Sequence, residues 1–449
     1  MQADSKAPLS SGFDGERLRR VSLWLDRQVA DNRLKGASVL IGKGGEPVFF
    51  HASGEAGSET HSADGQQRAR AFNRDTIVRL YSMTKPVTSC AAMMLYEQGC
   101  FQLDDPVAMY LPAFADMRVW SGSGNPGVEE DIRRHTSRAD SLITVRQLMS
   151  HTAGLTYGFM NATPVDKYYR DHGLVFPGAR ETLDVLVDRL AQAPLLCQPG
   201  TQWNYSVASD VLGRLVEIWS GVSLADYLRL QVFEPLGMSS TGFHVQPDDA
   251  MRFADLYGPA AGGDLGSISN TSGRNSKALV QRSGRALPEL EPPIPLDVLS
   301  NTTFLLDPPL YSGGGGLVGT ADDYARFCQC LLNGGELEGV RILGRKSVEF
   351  MRQNQLPENR DMAAMGQAVW SETTYKGIGF GLGFAVVLDP VKAGMVTSPG
   401  EHHWGGAAST FFWIDPLEDL YVILLTQLYP SSTYPLRTEL RTAVYQALV

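Results

Sequence analysis

Cysteine is scarce in this 449-residue chain. Only five occur, Cys90, Cys100, Cys197, Cys328 and Cys330, and an odd, scattered set argues against the disulfide framework that staples small secreted domains. Cys328-Gln329-Cys330 has the wrong spacing for a zinc knuckle and no second pair completes a site, so both read as small packing residues of a helix. Positive charge is also short. The formal net charge is -10, and no basic run reverses it locally; Arg19-Arg20 and Arg133-Arg134 are isolated pairs that read as solvated faces. This argues against binding nucleic acid or an anionic membrane surface through bulk electrostatics. No uninterrupted apolar run is long enough to span a bilayer. Residues 1–10 are polar and lack the apolar centre of a signal peptide. The expectation is a soluble, cytoplasmic protein that engages neither nucleic acid nor membrane.

What is present is ordinary globular composition, with 43% hydrophobic and 20% charged residues, in a chain long enough for two substantial domains. Leu18, Val21, Leu25 and Val29 recur at helical spacing. A hairpin is predicted over 37–41 and 47–51 around Gly44-Gly45. A strand-like run over 76–81 gives way to a helix-like run over 87–96. Helices are expected over 144–150, 181–191, 207–219, 224–232 and 320–332, the last closed by Asn333-Gly334-Gly335. Strand signals return over 380–388, 395–398, 410–414 and 420–426, and a closing helix over 436–448. Two loops, 113–141 and 258–293, are long enough to suggest that they overhang a cleft. The pattern is α/β at both ends (1–105 and 336–449) with a mainly helical insert (106–335). One antiparallel sheet flanked by the terminal helices would unite the ends.

Three polar clusters carry candidate chemistry. The first is Ser82-Met83-Thr84-Lys85, where a serine opens the expected helix and a lysine follows three residues later on the same face. A serine hydroxyl is a poor nucleophile without a base beside it, and this spacing supplies an amine locally. The bland reading is a helix N-cap. No other lysine in the chain has a serine three positions before it. The second cluster ends in Tyr205-Ser206 after a Pro199-Gly200 turn. In isolation such a tyrosine is a half-buried edge residue. Facing Ser82 and Lys85, it could relay a proton, provided a nearby ammonium offset its ordinary pKa of about 10. The third is His402-His403-Trp404-Gly405-Gly406-Ala407, where paired glycines let backbone approach a ligand and an amide could donate to an oxyanion. Adjacent strand histidines point to opposite faces, which argues against a metal site, and no cofactor is expected.

Together the clusters resemble the penicillin-recognising serine hydrolases, which comprise class C β-lactamases, D,D-peptidases and family VIII carboxylesterases. The resemblance spans about residues 18–445. It also takes in Leu148-Met149-Ser150-His151-Thr152-Ala153-Gly154-Leu155, Phe233-Glu234-Pro235-Leu236-Gly237-Met238 and the glycine run at 313–319. It implies a β-lactamase-like α/β fold, Ser82 as the acylated nucleophile and Lys85 as its activator. The family's Tyr-x-Asn motif falls on Tyr205-Ser206-Val207 and its Lys-Thr-Gly motif on Trp404-Gly405-Gly406, with the amides of Ser82 and Ala407 as the oxyanion hole. His151 is expected to be structural. Val207 stands for the family's asparagine and Trp404 for its lysine. An indole in place of a cation removes a carboxylate anchor, which favours neutral esters over anionic lactams and points to the esterase branch. The implied activity is hydrolysis of small carboxylic esters, with short acyl chains, through an acyl-serine. The alternatives are β-lactam or D,D-peptide hydrolysis, acyl transfer, or a silent scaffold that would have lost the serine or lysine. The commoner esterase elbow, Gly-x-Ser-x-Gly, does not occur; Gly221-Val222-Ser223-Leu224-Ala225 lacks its last glycine.

Overall fold

The computed structural model describes residues 12–59, 68–122, 132–176, 180–260, 290–366 and 375–449. Its centre is an eight-stranded antiparallel sheet. From one edge the order is Ile378–Phe380, Ala385–Val387, His402–Gly405, Phe411–Asp415, Leu420–Thr426, Gly36–Lys43, Glu46–Glu59 and Arg68–Ala71. The two ends of the chain therefore meet mid-sheet, where Ala37 pairs with Thr426 and Ile41 with Val422.

Side-chain alternation assigns the two faces. Val39, Ile41, Phe411, Trp413, Val422 and Leu424 pack with Leu18, Val21 and Leu25 of the helix Gly15–Ala30 and with Leu440 and Val444 of the closing helix Leu436–Tyr445. Leu40, Phe412, Ile414, Ile423 and Leu425 face the other way, into a larger core shared with the helices Thr84–Glu97, Ala208–Ser220 and Ala321–Leu332. Because both faces are covered, Leu420–Thr426 is buried at every residue, which is why it reads as an unbroken apolar run. Among the described residues no helix is long and apolar enough to cross a membrane.

The structure departs from the sequence reading at several places. Ser82 does not open the helix as a cap. It lies in a 3-10 turn, Tyr81–Met83, ahead of the helix Thr84–Glu97, and makes no side-chain capping bond. The predicted strand over 380–388 is a hairpin of two strands, broken by Gly381 to Phe384 with Gly383 at φ +102. No strand forms over 395–398; that stretch follows a one-turn helix, Pro390–Ala393, and leads irregularly into His402–Gly405, itself a strand. The helix expected over 224–232 changes to π geometry at Arg229–Phe233. Within 113–141 the described residues form a small ribbon, Arg118–Trp120 against Thr136–Arg138, while most of 258–293 lies outside the described residues.

A buried ionic network ties the strand His402–Gly405 to the closing helix. Glu401, fully buried, accepts from Arg441 Nε (3.1 Å) and Nη2 (2.7 Å), and His403 Nδ1 lies 2.8 Å from the same carboxylate. Burial opposes the charge of Glu401, but Arg441 and His403 outweigh it and hold the carboxyl far below its usual range. Removing one member of such a set strands the other charge in the core. Glu401→Gln is therefore expected to cost about 3–5 kcal/mol in urea unfolding; a loss below about 1 kcal/mol would show that the pair is solvated in solution.

Candidate active site

The turn that carries Ser82 is placed by a short strand and held under strain. Val78–Arg79 pairs with Val318–Gly319, and Leu80 N–H donates to Leu317 O at 2.9 Å. Tyr81 then adopts φ +46, a left-handed conformation that costs a non-glycine residue about 1–3 kcal/mol. The surroundings impose it. Met83 N–H donates to Leu80 O, and the buried Tyr324 hydroxyl donates to Met83 O at 3.0 Å. This turn leaves Ser82 partly exposed at the head of the helix, with Lys85 one turn on and fully buried.

Ser82, Lys85 and Tyr205 converge. The Tyr205 hydroxyl donates to Ser82 Oγ at 2.5 Å, and Lys85 Nζ donates to the same oxygen at 3.2 Å. Lys85 also donates to the Tyr157 hydroxyl (3.0 Å) and to Gly314 O (2.6 Å), and it lies 4.6 Å from the centroid of the Tyr205 ring. Burial pulls the Lys85 ammonium down to about 7, against the opposing charge of Asp210. Burial pushes the Tyr205 phenol up; its bond to Ser82, the neighbouring Trp404 indole and the charge of Arg437 oppose that. The cluster thus holds an amine that changes charge near neutrality beside a phenol in hydrogen-bond contact with a serine.

The third cluster closes the site. His402–Gly405 pairs with Phe411–Asp415, and the intervening turn carries Gly406 and Ala407. A Cβ at Gly406 would run into the Leu80 carbonyl and the Thr410 hydroxyl, so only glycine lets this turn press against the residue before the Tyr81–Met83 turn. The turn is held by Gly406 N–H to Thr410 O and Ser409 N–H to Gly406 O; the amide of Ala407 takes part in neither. Ser82 lies in the first turn of a helical segment, where backbone N–H groups have no intrahelical acceptor. Gly405 is half-exposed and pairs with Phe411.

Trp404 is buried in an aromatic wall, 5.5 Å from the Tyr205 ring and edge-on to Phe380 at 5.2 Å. Trp203 and Tyr375 continue this wall. The Trp404 indole N–H has no formed hydrogen bond, although it is near enough to the Tyr205 oxygen to favour its phenolate. Val207 is fully buried as the N-cap position of the helix Ala208–Ser220. The adjacent histidines diverge: His402 packs on Phe384 and His403 on Phe411 beside Glu401.

His151 is buried beside the Tyr205 ring. It sits at φ +56, its carbonyl accepts from Asn204 N–H at 2.9 Å, and its Nδ1 lies 3.1 Å from Ser206 Oγ. Burial, aided by the Lys85 charge, keeps it neutral well below its usual range. Two further groups at the site escaped the sequence reading. Tyr157 follows His151 by six residues with no local pattern linking it to Lys85. Asp210 lies in the first turn of its helix, where an acidic residue reads as an ordinary start signal.

Known proteins share this fold. The protein-family model described as Beta-lactamase matches residues 21–446. The chain is 31% identical to Esterase EstB of Burkholderia gladioli over 457 residues, covering 99% of this chain and 100% of that protein. It is 26% identical to a monacolin J acid methylbutanoyltransferase of Aspergillus terreus over 380 residues, covering 83% and 82% of the two chains. A solved structure described as EstCE1, a hydrolase with promiscuous acyltransferase activity, superposes with a TM-score of 0.71 at 27% identity, covering 96% of this chain and 99% of that one.

Proposed function

The chain belongs to the beta-lactamase family, and from that premise we propose that it is a carboxylesterase working through an acyl-serine intermediate. The observation that carries this reading is Ser82 Oγ held by Tyr205 (2.5 Å) and Lys85 (3.2 Å) beside an indole rather than a cation at position 404. The Lys85–Tyr205 pair takes the Ser82 proton as Oγ attacks the ester carbonyl. The amides of Ser82 and Ala407 receive the oxyanion. The alcohol leaves with a proton delivered through Tyr205, and water then reverses the sequence to release the acid. The same acyl-enzyme would serve β-lactam opening or transfer to an alcohol. Trp404 tilts the choice, because an apolar wall offers no partner to the carboxylate of a β-lactam and favours neutral esters.

The test is a series of p-nitrophenyl esters of increasing acyl length beside a chromogenic cephalosporin, run on the parent protein and on Trp404→Lys. The parent is expected to turn over short-chain esters. Trp404→Lys should lose roughly tenfold or more in ester kcat/KM through lost apolar contact, while the cephalosporin-to-ester ratio rises. An unchanged ratio would reduce Trp404 to a structural indole. Cephalosporin opening without ester turnover by the parent would replace the esterase reading with a lactamase one.

A further inference from the structure

Asp210 is a fully buried carboxylic acid for which the serine–lysine–tyrosine chemistry has no use. Its Oδ1 accepts from the Ser312 hydroxyl at 2.5 Å and from Gly314 N–H at 3.1 Å, while its Oδ2 has no hydrogen-bond partner. Gly314 is also the residue whose carbonyl accepts from Lys85 Nζ at 2.6 Å. A single residue thus joins the carboxyl to the amine, its N–H on one and its C=O on the other. A Cβ on Gly314 would lie 2.5 Å from Asp210 Oδ2 and 3.0 Å from the Tyr157 hydroxyl, so the unpartnered oxygen, the phenol that Lys85 also contacts and the bridging residue crowd one small space.

Burial favours the neutral acid, while the donors, the helix dipole and the Lys85 charge around it favour the ionised one. Asp210 sits at the N-terminal end of the helix Ala208–Ser220, where the peptide dipoles attract negative charge. Two donors are already aimed at one of its oxygens. Among the described residues, the titratable and charged groups that bear on Lys85 are few. Asp210 comes from this helix, Tyr205 from the segment before it, and Tyr157 and the neutral His151 from the stretch after the helix Val145–Met149. The charge of Arg437 reaches Tyr205 from the closing helix. Asp210 is the one acid among these.

We propose that Asp210 is a positioning residue: acting across Gly314, its negative charge sets how firmly the Lys85–Tyr205 pair holds the proton that it must lose before it can activate Ser82. The inference rests on the hydrolase reading of Lys85 and Tyr205. The sign follows from counting protons. Whether the competent form is amine with phenol or ammonium with phenolate, it carries one proton fewer than ammonium with phenol, so activity rises as the pair loses that proton. The fall in kcat/KM on the acid side reports this step in the free enzyme. A nearby carboxylate delays the loss and keeps the pair a stronger base. Burial lowers the Lys85 ammonium against the charge of Asp210, and burial raises the Asp210 carboxyl against the Ser312 hydrogen bond and then the charge of Lys85.

The experiment is the pH profile of kcat/KM for a p-nitrophenyl ester in the parent protein, Asp210→Asn and Ser312→Ala, with a thermal melt of each. In Asp210→Asn the acid limb is expected to move about one pH unit or more to lower pH, because the opposite charge that sustained the cation is gone. The plateau should fall as the base weakens. Ser312→Ala removes a hydrogen bond that keeps Asp210 ionised, so a smaller shift in the same direction is expected and is available if Asp210→Asn fails to fold. A folded Asp210→Asn whose limb stays in place overturns the inference, as does an unmoved limb in Ser312→Ala if that variant alone folds. Lower activity with an unshifted limb would mark Asp210 as structural. A parent protein with no ester turnover at any pH defeats the hydrolase reading itself, and the two failures are therefore separable.

Discussion

Ser82→Ala is expected to abolish ester hydrolysis, by on the order of 10⁶-fold, while leaving a folded protein; losses of this scale follow when a serine hydrolase is stripped of its nucleophile. The hydroxyl does no structural work that alanine cannot replace. Ser82 lies in a 3-10 turn, makes no capping bond and is partly exposed. The neighbours it leaves behind keep other partners, since Lys85 still donates to Tyr157 and Gly314. Only the Tyr205 hydroxyl loses its acceptor, at a cost of about 1–3 kcal/mol. Treatment of the parent protein with a sulfonyl fluoride or a phosphonate should place one adduct on Ser82 by peptide mass spectrometry, with none in the variant. A modified serine elsewhere, or substantial turnover by Ser82→Ala, would move the nucleophile from this turn.

The parts of the site that were legible in the sequence are those whose geometry is local. Ser82 and Lys85 lie one helical turn apart, so their spacing alone predicts that hydroxyl and amine meet, although the turn that presents the serine does not follow from spacing. That turn depends on Tyr81 in a left-handed conformation, between Leu80 and Met83, which are anchored to Leu317, Thr410 and Tyr324 hundreds of residues away. The unbroken apolar runs within Phe411–Asp415 and Leu420–Thr426 likewise mark strands, because each residue of a strand must face one of two covered layers. The stretch 395–398 has no such constraint; its two apolar residues, Met395 and Val396, are followed by Thr397 and Ser398, and no described strand pairs with it. Tyr157 and Asp210 were invisible for a different reason. Each joins Lys85 only through tertiary contact, one directly and the other across Gly314, and each sits in a local setting that has an ordinary explanation.

Tyr205→Phe and Lys85→Ala are each expected to lower turnover by roughly 10²–10⁴-fold, the usual contribution of a positioned acid–base group. Tyr205→Phe is the cleaner test. It keeps the ring that packs against His151, Tyr157, Trp203 and Trp404 and removes only the oxygen 2.5 Å from Ser82. Lys85→Ala does more. It withdraws the donor shared by Ser82, Tyr157 and Gly314, and it leaves Asp210 buried with no cation beside it, so Lys85→Met is the better match for volume and should be melted alongside. Because amine and phenol handle the same proton, their effects should not add. The double variant Lys85→Met with Tyr205→Phe is expected to be little worse than the poorer single, where independent groups would multiply their losses. Near-parental turnover in Tyr205→Phe would leave the tyrosine as a wall of the cleft and Lys85 as the sole base. Multiplying losses in the double variant would instead mean that the two act on different protons, with Lys85 serving the attack on the ester and Tyr205 the departure of the alcohol.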